Sequence, residues 1–444
     1  QAQQTLFGVD IEDVVLTYQY VFSLFHHYEK ELEDMGNRGL FDHIEMALIP
    51  VLAKMELAGV ELDSEYLGEL SKNIAEELAE LTKNIYEEAG KEFNIASSQQ
   101  LREILFVDLA LPTAGIKKGK TGYSTAANEL EKLREYHPII SFIEKYRELA
   151  KLQNTYVDVL PTLVNKKTGR LHTTFNQAVT TTGRLSSSDP NLQNIPIRSQ
   201  TGKKIRNAFI AAPGYVLIAA DYSQVELRVI ASLAKDKNMI DIFKKDEDIH
   251  KATAAIIHQV PIDEVTAEMR SAAKQVNFGV LYGMGAYGLA SRTGLPVEQA
   301  REFIDAYFSG FSSVKKYLDI ILEQAKKDGY VETLFGRRRY IPELKARNHQ
   351  IRTTGERMAI NMPVQGTAAD MMKMAMIVVH KKIQAFGDDV RMLLQVHDEI
   401  VMEVKKGKEK EVGKILQKEM EDVIEMNVPV KAEVHTGKHW GKLK

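Results

Sequence analysis

The sequence predicts an α+β fold in which strands flank a long helical insertion, and three patterns support this. Residues 215–220, YVLIAA, form an unbroken apolar run after Pro213-Gly214, which is typical of a buried strand. Residues 391–404 contain two apolar runs on either side of His397-Asp398, which predicts a hairpin with its turn at that pair. Between these two regions, helical patterns dominate residues 239–385.

Composition and charge limit the classes of protein. The chain has 444 residues, 44% of them hydrophobic and 27% charged, which is ordinary for a globular protein and enough for two or three lobes. It has no cysteine, which excludes disulfides and thiolate metal sites. A net charge of −3 excludes a uniformly basic nucleic-acid binder but allows a cleft lined locally by lysine and arginine. Because no apolar run approaches the roughly 20 residues that span a bilayer and no signal peptide is visible, we expect a cytoplasmic protein without a membrane partner.

The first third of the chain predicts mainly helices. Residues 1–40 contain short helical pieces and a turn-like GNRG, residues 40–57 an amphipathic helix, and GVELD a short strand. Helical periodicity extends over residues 64–105, where we expect Ser64 to be the N-cap of a helix that ends at Gly90. A second helical pattern covers residues 128–160. The basic loop KKGKTGYST between these helices either contacts a phosphate backbone or is simply solvated.

The remaining segments complete the α+β pattern. Residues 169–209 are rich in Thr, Asn, Gln, Ser and basic residues, which predicts a loop whose donors track sugar and phosphate. The strand at 215–220 ends at Asp221, and VELRVIASLA after it has a helical pattern. An amphipathic helix at 409–425 and a strand at 428–435 follow the hairpin.

Two carboxylates interrupt buried strand patterns. Asp221 ends one apolar run, and Asp398 stands between two others. A charge at such a place is costly unless it is paired or bound to a metal. If the strands are neighbours, the two side chains offer hard oxygen ligands at one edge of a sheet, as a pair of Mg²⁺ ions requires. The alternative for each is an ordinary turn aspartate.

Residues 269–288, MRSAAKQVNFGVLYGMGAYG, predict a helix with two cations and two aromatic rings along one stripe. Arg270, Lys274, Phe278 and Tyr282 follow one another at intervals of four residues. A ligand that is anionic at one end and flat at the other, such as a nucleoside triphosphate, suits this arrangement. The alternative is an amphipathic helix with buried rings and solvated cations.

Two other motifs are set aside. Gly283, Gly285 and Gly288 form a G-x-G-x-x-G, but the preceding run is helical, so we interpret these glycines as the end of a helix and a turn. His250 and His258 are eight residues apart, whereas a zinc pair on a helix is four apart, so we do not expect a metal there.

Several motifs occur together in the chain: DYSQVELR at 221–228, DIHKATA at 248–254, RSAAKQVNFGVLYG at 270–283, ERMAINMPVQGTAAD at 356–370 and QVHDEIVMEV at 395–404. TTGRLSSSDPNLQNIP at 181–196 and YRELAKLQNTY at 146–156 extend the series. In order, spacing and residue type they resemble the family A DNA polymerases, also called the bacterial DNA polymerase I type. The resemblance covers roughly residues 40–444.

The resemblance implies a right-hand polymerase fold. Its palm, with an antiparallel sheet, would comprise 40–58, 156–239 and 361–444, its helical thumb 59–155 and its helical fingers 240–360. Residues 1–39 would be the remnant of a preceding exonuclease-like region, so we expect no proofreading. Asp10-Ile11-Glu12 has the D-x-E spacing of that region's metal ligands, which we interpret as a coincidence because 39 residues cannot hold the domain. Since the sequence begins at Gln1, we expect it to be a fragment.

The resemblance also implies a metal site. Asp221 and Asp398 would bind two Mg²⁺ ions, for which Mn²⁺ can substitute, with the Tyr222 carbonyl assisting. Glu399 would be an accessory carboxylate next to the second aspartate.

A nucleotide site is implied beside the metals. Arg270 and Lys274 would hold the triphosphate, helped by His250 and Gln224, and Lys274 would also protonate the departing pyrophosphate. Phe278 would lie under the incoming sugar and base.

Selectivity and closure are implied for further residues. Glu226 would fill the space that a 2′-hydroxyl needs, and Tyr282 would stack near the templating base and act as the pivot of finger closure. Phe278, where some relatives have tyrosine, implies poor use of dideoxynucleotides. Ser271 departs from relatives that have a second arginine there, which removes one positive charge. Minor-groove and primer-end contacts would come from Arg184, Arg357, Asn361, Gln365 and His397.

We therefore predict a DNA-templated DNA polymerase that joins a dNTP to a primer 3′-hydroxyl and releases pyrophosphate. Its partners would be primer-template DNA and dNTPs, and it would be a monomer. One alternative is a single-subunit RNA polymerase, a class that shares the helix with Arg270 and Lys274. Glu226 and the sequence HDE at 397–399 argue against it. The other is a non-catalytic DNA-binding module, which would gain nothing from Asp221 and Asp398 facing DNA.

Overall fold

The structure, a computed structural model, describes residues 5, 6, 9–197 and 199–443. The α-helices are α1 (Ile11–Asp34), α2 (Arg38–Leu40), α3 (Ala47–Ala58), α4 (Ser64–Ala89), α5 (Ser98–Glu103), α6 (Ala127–Leu130), α7 (Ile139–Leu152), α8 (Gln200–Asn207), α9 (Val225–Ala234), α10 (Lys237–Lys244), α11 (Ile249–His258), α12 (Ala267–Leu281), α13 (Ala286–Thr293), α14 (Val297–Gly310), α15 (Ser312–Asp328), α16 (His349–Ile383) and α17 (Glu409–Glu421). The strands are β1 (Thr5–Leu6), β2 (Val9–Asp10), β3 (Val60–Leu62), β4 (Lys118–Gly119), β5 (Gly122–Tyr123), β6 (Arg170–Leu171), β7 (Thr174–Asn176), β8 (Ser186–Ser188), β9 (Phe209–Ile210), β10 (Tyr215–Tyr222), β11 (Tyr330–Glu332), β12 (Arg338–Tyr340), β13 (Val390–Val396), β14 (Glu399–Lys405) and β15 (Ala432–Gly437).

The sheet that positions the site is antiparallel, with the strand order β13-β14-β10-β15. The predicted hairpin is confirmed, since β13 and β14 pair and are joined by His397-Asp398. The first strand continues to Tyr222, so Asp221 lies within β10 and not after it. In the register, Asp221 faces Glu399 on β14 and Glu433 on β15. The closing helix ends earlier than predicted, at Glu421, and the closing strand begins later, at Ala432.

The longest helix, α16, has 35 residues and contains Pro363. Its N-terminus is capped by the Asn348 side chain, which accepts from two backbone N–H groups. Thr367 Oγ1 donates to the carbonyl of Pro363 at 2.6 Å, next to the position where the ring removes a helical donor. Helices dominate residues 239–385 as predicted, but the hairpin of β11 and β12 within this range was not predicted. Strands of three residues are too short to show a period of two.

The N-terminal third differs from its prediction in three details. Residues 11–34 form one helix and not short pieces, and the predicted helix at 40–57 is a helical run from Arg38 to Ala58 with a π-helical part at Phe41–Met46. Asp63, and not Ser64, caps α4 by accepting from the Tyr66 N–H at 2.9 Å. Gly90 ends α4 as predicted, with a φ of 70°. The side chains of Asp10 and Glu12 lie outside the described part of the molecule.

Among the described residues, burial defines one large core and two smaller ones, the smallest of which joins α15, β11 and the N-terminal half of α16. The large core includes the sheet, α9, α11 and the C-terminal part of α16, from Val364 to Ile383. The second core gathers apolar side chains from residues 85–143, on either side of the basic hairpin formed by β4 and β5. Residues 169–209, predicted as a loop, contain the short strands β6, β7 and β8 and the helix α8. Among the described helices, none combines the length and apolarity needed to cross a bilayer.

Candidate functional site

Two aspartates meet at one end of the four-stranded sheet. Asp221 lies near the end of β10, and Asp398 lies in the turn that leads into β14, the strand paired with β10. The Tyr222 N–H donates to the Asp398 carbonyl at 3.0 Å, which fixes the turn against the strand. His397 in the same turn has a φ of 56°. Gln224, also in a left-handed conformation, immediately precedes α9 on the same side of the site.

The environment of Asp398 is unfavourable to its negative charge. Burial raises the pKa of Asp398 to about 6, the Arg184 guanidinium opposes the shift, and the carboxylates of Glu226 and Asp221 add to it. Arg184 Nη2 lies 3.9 Å from Asp398 Oδ1. Crowded carboxylates with oxygen donors alone fit a hard divalent cation. Within the described residues, no group of three or more His, Cys, Asp or Glu side chains converges on one point, so substrate, carbonyl or water oxygens would complete its coordination.

Glu399 occupies a more enclosed position than the two aspartates. Directly opposed residues of antiparallel strands share a face, so Glu399 lies on the same face of the sheet as Asp221. The Trp440 Nε1–H donates to Glu399 Oε2 at 3.2 Å, and the Arg206 guanidinium lies 4.1 Å from the centre of the Trp440 ring. Burial lowers the pKa of Arg206, and Glu399 and Asp221 oppose that shift. Sequence reasoning counted Arg206 only among the basic residues of 169–209, and it missed Trp440, which belongs to none of the motifs.

A buried carboxylate connects three predicted site residues. Glu226 accepts from Arg184 Nη2 at 2.6 Å and from the Tyr282 hydroxyl at 3.1 Å. Burial and the nearby Glu226 carboxylate raise the pKa of Tyr282 to about 12, and a hydrogen bond between Gln365 and Tyr282 opposes the shift. Residues from four distant stretches of the chain therefore meet around Tyr282.

The predicted cationic helix is α12, which presents Arg270 and Lys274 to solvent. Arg270 Nε donates to Asp248 Oδ2 at 2.7 Å, and the other oxygen of Asp248 caps α11. Phe278 is half-buried, and its ring centre lies 5.7 Å from that of His250. His250 itself is buried. Ser271, like the two cations, is exposed.

The helix is shorter than predicted at its C-terminal end. It stops at Leu281, Tyr282 follows it as the C-cap, and α13 begins only at Ala286. Gly283 has a φ of 62°, and a Cβ there would lie 2.9 Å from Arg357 Cγ. Gly283 and Gly285 therefore lie in the turn after the helix, as predicted, whereas Gly288 lies inside α13.

Of the predicted nucleic-acid contacts, Arg184 and His397 line a cleft of about 320 Å³, and the other three lie on α16. Arg357, Asn361 and Gln365 lie four residues apart on α16, and His397 is exposed in the turn before Asp398. Asn361 Oδ1 is buried without a hydrogen-bond partner among the described residues. The cleft is lined by side chains that include Arg184, Asn191, Gln193, Lys373, Gln395 and Asp398. Gln193 and Gln395 were not predicted, although Gln193 Nε2 donates to Gln395 Oε1 at 3.2 Å.

The buried His250 predicts a loss of stability in acid. Burial lowers the pKa of His250 from 6.5 to about 4, so the folded state binds its proton less readily than the unfolded state. The contribution of the neutral His250 ring to the free energy of unfolding is complete above pH 6.5. It is lost as the pH falls towards 4, by up to about 3 kcal/mol. We expect denaturant titrations at pH 7 and pH 4.5 to show a smaller loss for His250→Gln than for the wild type. Equal losses in the two proteins would contradict this.

Comparison with known proteins shows the family to which the chain belongs. The family model described as DNA polymerase family A matches residues 64–442. The chain belongs to DNA polymerase family A. Among curated members, it is 51% identical over 402 residues to the thermostable DNA polymerase I of Thermus aquaticus, an alignment that covers 90% of this chain and 48% of the relative. It is 45% identical over 422 residues to DNA polymerase I of Bacillus caldotenax, covering 95% of this chain and 48% of the relative.

A solved family A structure shares the fold. It is described as the POL domain of Pol1 from M. smegmatis in complex with DNA primer-template and dNTP. The TM-score is 0.89 at 40% identity, over 94% of this chain and 73% of that one. The predicted polymerase fold is thereby confirmed, while the boundaries of palm, fingers and thumb stay a prediction. The family A chain spans about half the length of the curated relatives that it matches.

Proposed function

We propose that this family A chain is a DNA-templated DNA polymerase that extends a primer 3′-hydroxyl with dNTPs and releases pyrophosphate. The observation that carries the proposal is the pair Asp221 and Asp398 at one end of the sheet, with the exposed cations of α12 in the same chain. The relatives named DNA polymerase I and the solved complex with primer-template and dNTP support it.

The carboxylates would form the metal site. Asp221 and Asp398, with the Tyr222 carbonyl, would hold two Mg²⁺ ions or their Mn²⁺ substitutes, and Glu399 would act as an accessory carboxylate. Such ions stabilise the charge on attacking and leaving oxygens during an in-line displacement. Arg184 lies close enough to Asp398 to compensate part of the negative charge before a cation binds.

The helix α12 would bind the nucleotide. Arg270 and Lys274 would bind the triphosphate, and Lys274 would donate a proton to the leaving pyrophosphate. Phe278 would support the sugar and base, with His250 and Gln224 as further contacts. Because Arg270 pairs with Asp248 in the described structure, a triphosphate would have to share or replace that partner.

We assign Tyr282 to the template, and the residues on α16 and in the cleft to the minor groove and the primer end. Tyr282 would lie near the templating base and pivot as the fingers close. The minor-groove and primer-end contacts would come from Arg184, Arg357, Asn361, Gln365 and His397. We further propose a cytoplasmic monomer without proofreading.

Primer extension tests the proposal. A labelled primer on a template with a 5′ overhang is incubated with the protein, Mg²⁺ and either four dNTPs or four NTPs, and products are resolved by length. We expect extension to the template end with dNTPs only. Extension with NTPs would favour the RNA polymerase alternative. Binding of the duplex with no extension by either set would favour the DNA-binding module.

Selection against ribonucleotides gives a separate prediction for Glu226. Its carboxylate is buried and held by Arg184 and Tyr282, so it is a fixed obstacle. We expect Glu226→Ala to raise the ratio of NTP to dNTP incorporation by about tenfold or more, because removing a steric and charged obstacle favours the larger sugar. Single-nucleotide insertion kinetics with matched dNTP and NTP measure the ratio. An unchanged ratio in a folded, active variant would contradict the role.

A further inference from the structure

Three buried polar side chains form a network between α11 and α12, beneath the proposed triphosphate surface. Thr253 and His250 lie on α11 and Asn277 lies on α12, between Lys274 and Phe278. The exposed fractions are 0% for Thr253, 0% for Asn277 and 3% for His250. Buried polar groups need hydrogen-bond partners, so each donor and acceptor of these three side chains can be matched with its partner.

The Thr253 hydroxyl fixes the orientation of the Asn277 amide. Thr253 Oγ1 donates its only hydrogen to the Ile249 carbonyl at 2.7 Å, a shorter contact than the 3.3 Å to Asn277 Oδ1. The hydroxyl oxygen is therefore left as an acceptor, and Asn277 Nδ2 donates to it at 3.1 Å. Asn277 Nδ2 is also the nearer of the two amide atoms to the hydroxyl oxygen, at 3.1 Å against 3.3 Å for Oδ1.

The oriented amide in turn fixes the tautomer of His250. The same Asn277 Nδ2 lies 3.0 Å from His250 Nδ1 and has a second hydrogen to donate. An amide N–H cannot donate to a ring nitrogen that carries a hydrogen, so Nδ1 is the unprotonated nitrogen and the neutral ring carries its proton on Nε2. Among the described residues, none forms a hydrogen bond with Nε2.

The charges around the ring keep it neutral. Burial lowers the pKa of His250 to about 4, and the cations Lys274 and Arg270 on α12 add to this, while Asp248 at the start of α11 opposes it. At neutral pH the ring is therefore a fixed donor on one side and a fixed acceptor on the other.

We propose that Asn277 is a positioning residue, which sets the tautomer of His250 so that a neutral imidazole offers its Nε2–H to a phosphate oxygen of the nucleotide. The opposite tautomer would place a lone pair against an anionic oxygen, which repels it. The identity of the ligand rests on the proposed function. The tautomer is a property of the protein without nucleotide.

Nitrogen NMR of the full chain without nucleotide tests the tautomer directly. The His250 signals are assigned by their loss in His250→Gln, and His258 on the same helix serves as the internal control. We expect unprotonated Nδ1 and protonated Nε2 at pH 7.5. In Asn277→Asp the carboxylate accepts a hydrogen bond, so Nδ1 becomes protonated. In Asn277→Leu, of similar size, both tautomers appear. A wild-type ring protonated on Nδ1, or a tautomer unchanged in the folded variants, would overturn the proposal.

Kinetics then separate positioning from a general structural role. We expect Asn277→Leu to raise the KM for dNTP about tenfold with a smaller change in kcat, as for the loss of one hydrogen bond to a charged group. An amide has no tautomers, so the same substitution in a His250→Gln background should raise KM much less. Additive effects in this double-mutant cycle would contradict the coupling. A chain without polymerase activity would refute the proposed function but leave the NMR result as a test of the tautomer.

Discussion

Replacing Asp398 with asparagine is expected to lower the rate of primer extension at least about a thousandfold, which corresponds to about 4 kcal/mol of transition-state stabilisation. The substitution keeps the shape of the side chain in the turn before β14 but removes its charge. Asparagine is a poor ligand for a hard divalent cation, so the nucleophile and the leaving phosphate lose their shared support. Affinity for primer-template should change little, because removing a carboxylate does not remove any proposed DNA contact. Single-turnover extension and duplex binding measure the two quantities.

The matched control is Asp389→Asn. Asp389 lies at the opposite end of the same hairpin, where it pairs with Lys405 and Lys408 near the surface. We expect extension by this variant within about twofold of the wild type, because exposed ion pairs contribute little. Full activity of Asp398→Asn in Mg²⁺ would remove the metal assignment altogether.

Replacing Arg337 with methionine is expected to lower the free energy of unfolding by about 3 to 5 kcal/mol. Arg337 Nε donates to Asp370 Oδ1 at 2.8 Å, and the Asp370 side chain is 0% exposed. The guanidinium also contacts Glu45, which in turn accepts from Lys373 Nζ at 2.7 Å. Without Arg337, the Asp370 carboxylate keeps the Thr333 hydroxyl as a donor but loses its ion-pair partner. Equilibrium denaturation by urea measures the loss.

The neighbouring residue provides the control for Arg337. Arg338 pairs with Glu332, whose side chain is 41% exposed, so Arg338→Met should cost no more than about 1 kcal/mol. The loss in Arg337→Met should also depend on pH. Burial raises the pKa of Asp370 above its ordinary value, so an unpaired Asp370 takes up a proton in mild acid and the cost of the substitution is larger at pH 8 than at pH 5. Equal losses for the two arginine variants would contradict the buried network.

The sequence predicted the parts of the fold whose signal is local. The hairpin at His397-Asp398 and the strand before Asp221 were visible because unbroken apolar runs have few other interpretations. The hairpin of β11 and β12 was missed because its strands have three residues each. Ser64 was preferred over Asp63 as a cap, although both residue types cap helices well and their order is decided by the backbone.

The site was predicted as a set of residues but not as a set of contacts. Motifs indicated Glu226, Arg184 and Tyr282 separately, and no sequence pattern shows that one carboxylate joins the other two. The contact of Arg206 with Trp440, and of Trp440 with Glu399, joins distant stretches of the chain, which periodicity does not reveal. The Asn277 amide was passed over as part of a motif because its role depends on a threonine one helix away.

The central position of β10 has a consequence for hydrogen exchange. From Leu217 to Asp221 the strand pairs with β14 on one side and β15 on the other, so the amides of this part should exchange only when the core itself opens. Helix α12 has one exposed face, and its amides are accessible through smaller local openings. The Asp221 carboxylate is therefore held on a backbone that is paired on both sides. Of these two elements, α12 is the one that can adjust to a nucleotide of unusual shape at the lower cost.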